Sequence, residues 1–121
     1  MEKTISSHFA SRPHWSAEDI RHKIECSKIV VFSKGTIEQP RCGYSEQALH
    51  AVEDCGRPFE VVDVCSNPSI IAALRNVAGR KALPIVYVNG DLVANSDELH
   101  RMINSGELKQ RVNAAFESES N

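Results

Sequence analysis

The chain has 121 residues, enough for one small domain with a buried core. Hydrophobic residues make up 41% and charged ones 25%, an ordinary balance for a soluble globular protein. A formal net charge of −2 gives no reason to expect nucleic acid or an anionic membrane as the main partner. No apolar stretch approaches the length of a transmembrane helix, so no membrane span is expected.

Residues 1–15 are rich in Ser and His, and Lys3 and Arg12 are opposed only by Glu2. They read either as a flexible N-terminal tail or as what remains of an organelle-targeting segment. Ser16 and Asp19 resemble a capping box, and Ala17, Ile20 and Ile24 recur at helical spacing, which predicts a short first helix. Lys28 to Phe32 is a compact β-branched run, read as a buried strand. Ser33 to Arg41, with Gly35 and Pro40, reads as a loop. From Tyr44 onward Ala48, Ala51, Val52 and Cys55 share a helical face, and Gly56 and Pro58 stop that helix.

Phe59 to Val64 is the second predicted strand. Asn67 and Pro68 then form a cap and first-turn proline for a helix carrying Ile70, Ile71, Leu74, Val77 and Ala78, closed by Gly79. Pro84 precedes a strand over Ile85 to Val88, and Asn89-Gly90 is a strong hairpin turn into Leu92-Val93. Asp97 or Ser96 caps a helix with Leu99, Met102 and Ile103; Ser105-Gly106 breaks it, and Leu108, Val112 and Phe116 mark the last helix. Glu117 to Asn121 read as a frayed end. A βαβ crossover demands parallel strands and the hairpin an antiparallel pair, so an α/β fold with a mixed four-stranded sheet and helices on both faces follows.

Four cysteines, Cys26, Cys42, Cys55 and Cys65, raise the possibility of a disulfide framework. Patterns long enough to fold without staples, and no secretory apolar segment, favour a reducing compartment instead. Structural zinc is not expected, because no Cys-x-x-Cys pair exists and His8, His14, His22, His50 and His100 lack ligand spacing. Cys42 is different: it opens a helix after a strand, where unpaired N–H groups and the helix dipole favour thiolate. Ser45 stands where the familiar redox motif would put a second cysteine, so this is a one-thiol site. Cys55 and Cys65 read as small buried hydrophobes.

The element order resembles the thioredoxin fold, with an extra N-terminal helix. Lys34-Gly35-Thr36, Pro40-x-Cys42-Gly43-Tyr44-Ser45, Pro58-Phe59, Leu83-Pro84, Asn89-Gly90, Ser96-Asp97 and Ser105-Gly106-Glu107-Leu108 fall in the order and spacing of monothiol glutaredoxins. The resemblance covers about residues 16–116, with Cys-Gly-Tyr-Ser in place of the usual Cys-Gly-Phe-Ser. It implies glutathione, or a related thiol, bound beside Cys42. It also implies a [2Fe-2S] cluster held between two protomers, each giving one thiolate and one bound thiol, for delivery to client or assembly proteins. The apo form would be monomeric and the loaded form dimeric. The alternative is a glutathione-dependent oxidoreductase that reduces mixed disulfides through Cys42.

On that resemblance Cys42 is the catalytic and iron-ligating residue. Lys34, Tyr44, a cis Leu83-Pro84 segment, Ser96 and Asp97 would contact the thiol cofactor, the last two with helix-start N–H groups and side chains that take its second carboxylate or its ammonium. Arg80-Lys81-Ala82 departs from the family's Trp-Pro-Thr run, and Ala94-Asn95 from its paired glycines. The localisation expected is mitochondrial, with cytoplasmic as the alternative.

Overall fold

The computed structural model describes residues 14–117. In chain order the elements are α1 (Ala17–Cys26), β1 (Ile29–Ser33), α2 (Gly43–Glu53), β2 (Glu60–Asp63) and α3 (Pro68–Ala78), then β3 (Ile85–Val88), β4 (Asp91–Ala94), α4 (Ser96–Ser105) and α5 (Glu107–Glu117). The sheet runs β2-β1-β3-β4, with β1 parallel to β2 and β3 antiparallel to both β1 and β4. This is the thioredoxin-like architecture expected from the sequence. The targeting reading of the N-terminal segment concerns residues that, up to position 13, lie outside those described.

Strand periodicity sorts the core into two layers. Ile29 and Val31 of β1, with Val86 and Val88 of β3, pack with Ala48, Leu49 and Val52 of α2 and the apolar stripes of α4 and α5. The alternate residues Val30, Phe32, Ile85 and Tyr87 meet Ile20 and Ile24 of α1 and Ile70 and Leu74 of α3. All five residues of β1 are buried, which is why its first four, Ile29 to Phe32, are an unbroken apolar run and not an alternating one.

Local signals explain most boundaries. Ser16 and Asp19 form the full capping box of α1. Asn67 accepts from the Ser69 N–H, and Pro68 occupies the first turn of α3. Asn89 (φ 52°) and Gly90 (φ 85°) both take the left-handed conformation a two-residue hairpin requires. Trp15, assigned from sequence to the tail, is instead 1% exposed in the second core layer, and its backbone N–H donates to Ser69 Oγ at 2.7 Å.

Two further readings change. The cap of α4 is Asn95, not Ser96 or Asp97: its backbone is extended and its side chain accepts from the Asp97 N–H. Cys65 is exposed and Cys55 only partly buried, because Cys65 follows β2 on a surface turn where no apolar neighbour covers it.

Candidate functional site

The site is built at the carboxyl ends of β1 and β2. Beyond Ser33 the chain folds back on itself: the Arg41 N–H donates to Lys34 O at 2.8 Å, and Gly35 bridges to Pro40. The Ser33 hydroxyl donates to Gly35 O at 2.9 Å, while the Gly35 N–H donates to Asp63 Oδ1 at 2.8 Å, fastening the loop to the end of β2. Gly35 has φ +95°, and a Cβ there would stand 2.3 Å from Gln39 O. Only glycine fits this turn. The folded loop delivers Cys42 to the N-cap of α2.

Cys42 caps with its sulfur. Sγ accepts from the Ser45 N–H at 3.3 Å, and the Ser45 hydroxyl lies 3.3 Å from the same sulfur. That hydroxyl oxygen also accepts from the Lys34 N–H at 2.9 Å, which turns its proton toward a Cys42 thiolate. Burial by itself pushes the Cys42 thiol up. The Ser45 hydroxyl and N–H, the Tyr44 N–H and the Lys34 charge together outweigh it, so the thiol lies below its ordinary value. Ser45 is fully buried, so the residue in the second-cysteine position is a structural clasp whose hydroxyl accepts from the Cys42 thiol and donates to it once it is a thiolate. Lys34 is the cation acting on Cys42; the neighbouring Arg41 points into solvent and serves through its backbone.

Beside Lys34 a cavity of about 320 Å³ opens between α3 and the segment before β3. Lys34, Arg75 and Lys81 bring three cations to it, Ile71, Leu74 and Leu83 make its apolar wall, and no acidic residue lines it. The Leu83-Pro84 peptide is cis, as the motif implied, with Pro84 buried and Leu83 at the cavity. Sequence reading noted Lys81 only as a departure and passed over Arg75. Its signal was a basic residue one position after Leu74, on the edge of the apolar face of α3.

Ser96 and Asp97 stand at the start of α4, but their N–H groups do not face outward. The Ser96 N–H donates to Ala82 O at 3.1 Å and the Asp97 N–H to Asn95 Oδ1 at 2.9 Å. With these N–H groups taken by Ala82 and by the Asn95 cap, the side chains of Ser96 and Asp97 are what is left for any ligand. Tyr44 is 60% exposed beside Cys42, the one large apolar side chain so exposed among the described residues.

A thioredoxin-like sheet whose first strand leads to a lone, helix-capping thiol, and whose third strand follows a cis-proline, defines a monothiol redox-type domain. Comparison with known proteins agrees: residues 29–93 match the family model described as Glutaredoxin. Glutaredoxin 4 of Escherichia coli K12 is 37% identical over 95 residues, covering 78% of this chain and 83% of its own. An uncharacterized monothiol glutaredoxin (ycf64-like) of Synechocystis is 33% identical over 95 residues, covering 78% of this chain and 89% of its own. A solution structure of a monomeric truncated mutant of Trypanosoma brucei 1-C-Grx1 superposes with a TM-score of 0.72 at 26% identity, covering 83% and 91% of the two chains. The chain belongs to the glutaredoxin family.

Proposed function

We propose that this glutaredoxin binds glutathione, or a related low-molecular-weight thiol, beside Cys42 and shares a [2Fe-2S] cluster between two protomers for iron–sulfur assembly or transfer. The observation that carries the reading is the single stabilised thiolate at the start of α2, with Lys34 both acting on it and lining a cationic cavity. A bridging cluster needs four thiolates. Among the described residues no group of three or more His, Cys, Asp or Glu side chains converges to hold a metal ion. Cys42 and one bound thiol therefore supply half the shell, and a second protomer supplies the rest. The cluster, when bound, would be cargo delivered to acceptor proteins.

The protein's own groups act on the small thiol. Lys34, Arg75 and Lys81 attract its carboxylates, the cis Leu83-Pro84 segment offers backbone for pairing, and the Asp97 carboxylate takes its ammonium. Asp97 thus reads as an ammonium partner and not, with Ser96, as an N–H anion site. Mitochondrial residence belongs to the same proposal, since such assembly is one of that compartment's tasks.

Anaerobic reconstitution with iron, sulfide and glutathione, followed by visible absorption and sizing, tests the reading. Wild type should become coloured and dimeric, and Cys42→Ser should stay colourless and monomeric. A normal cluster on the serine variant, or on a monomer without added thiol, would refute it. The lowered Cys42 thiol also supports a second activity, reduction of mixed disulfides with glutathione regenerating the thiolate. A glutathione-coupled assay with hydroxyethyl disulfide, on wild type and Cys42→Ser, measures it directly.

A further inference from the structure

We propose that Asn95 sets the choice of small thiol at Cys42. The site selects a thiol with a carboxylate at one end and an ammonium at the other, and makes no use of a carboxylate beside that ammonium. This rests on the reading that a low-molecular-weight thiol binds beside Cys42, and it names the chemistry by which that thiol is recognised.

The N–H groups of a helix's first turn ordinarily lack partners within the helix and can hold an anion. At the start of α4 they are already engaged. The Ser96 N–H donates to Ala82 O at 3.1 Å, the Asp97 N–H to Asn95 Oδ1 at 2.9 Å and the Glu98 N–H to Asn95 O at 3.1 Å. Asn95 is only 9% exposed, so its amide oxygen holds the place where a ligand's carboxylate oxygen would otherwise accept. Asp97 and Glu98, both exposed, add negative charge to the same turn. A carboxylate brought there meets like charge and finds no first-turn donor, whereas an ammonium is favoured.

The cavity has the opposite character. Ala82, which receives the Ser96 N–H, lines it together with Lys34, Arg75 and Lys81. None of these three cations is in an ion pair among the described residues, and Lys34 also acts on Cys42. The cations are thus gathered in the cavity and the acids at the start of α4, with Ala82 joining the two. Glutathione carries a glycyl carboxylate at one end and an α-carboxylate beside its ammonium at the other. The glycyl carboxylate suits the cavity and the ammonium suits Asp97, but the α-carboxylate is left without a donor.

Three thiols separate these contacts: glutathione, its analogue without the α-carboxylate (γ-aminobutyryl-cysteinyl-glycine), and its analogue with the glycyl carboxylate converted to an amide. The full chain, carrying glutathione as a mixed disulfide on Cys42, is equilibrated with glutathione and one analogue at equal concentration. The exchange swaps one thiol for another, so Cys42 stays a mixed disulfide throughout and no oxidant is consumed. Mass spectrometry of the acid-quenched Cys42 peptide reads the ratio, and the same competition in concentrated urea corrects for intrinsic differences between the thiols. In wild type the decarboxylated analogue should be retained within about twofold of glutathione and the amide at least about tenfold less, as losing one charge-assisted hydrogen bond gives. Asn95→Gly, which helix starts tolerate, frees the Asp97 N–H and should shift the choice about tenfold toward glutathione over the decarboxylated analogue. Asn95→Ser keeps a capping oxygen and should behave as wild type. A roughly tenfold preference of wild type for glutathione over the decarboxylated analogue, or an unchanged ratio in Asn95→Gly, would overturn the role of Asn95 and leave the thiol site standing. Retention of all three thiols as in urea would refute the thiol site itself.

Discussion

Ser45→Ala tests the clasp between the loop and α2. The alanine keeps the Ser45 N–H that caps Cys42, but removes the hydroxyl 3.3 Å from Sγ and the acceptor of the Lys34 N–H. Serine 45 is fully buried, so water cannot readily replace that acceptor. Stranding one such N–H costs about 1–3 kcal/mol. For a domain of this size each kcal/mol lowers Tm by roughly 4–8 °C. The same change removes the leading favourable interaction of the thiolate, so the Cys42 thiol must move up. Thermal melts and the pH dependence of iodoacetamide alkylation read the two effects separately. A variant with wild-type Tm and an unshifted alkylation midpoint would refute both the clasp and the assignment of the hydroxyl as donor to sulfur.

The lowered Cys42 thiol predicts a pH dependence with a fixed sign: the folded state holds the thiolate better than the unfolded chain. Wild type should therefore gain stability over Cys42→Ser above the unfolded thiol value, about 8.5, and lose that gain as pH falls through the folded value, as urea titrations at several pH values would record. Gly35→Ala should destabilise by on the order of 3 kcal/mol, since its Cβ meets Gln39 O at 2.3 Å with φ at +95°; denaturant midpoints check it. Reversing Arg75 or Lys81 to Glu should weaken glutathione binding by about tenfold each, or roughly 1.4 kcal/mol, with a reduced salt dependence in calorimetry, whereas Arg41→Glu should change it less.

The sequence alone determined the layers of this protein, because its elements are written in local signals. A four-residue apolar run in a strand, a capping box, an asparagine-proline helix start and an Asn-Gly hairpin each act over a few residues and do not depend on distant partners. The thiol at the head of α2 was legible for the same reason, as was its lack of a neighbour to close a local disulfide. The cap of α4 was not. Asn95, Ser96 and Asp97 all suit an N-cap, and only the backbone conformation selects the first of them and turns the helix-start N–H groups inward. Trp15 looked like tail until α3 supplied Ser69 and an apolar wall to receive it. The cavity beside Lys34 draws that residue, Arg75 and Lys81 from three separate parts of the chain, and the Ser45 hydroxyl serves Lys34 and Cys42 at once. Such meetings are set by how strands and helices pack, so the reactive residue could be named from the sequence while its electrostatic surroundings could not.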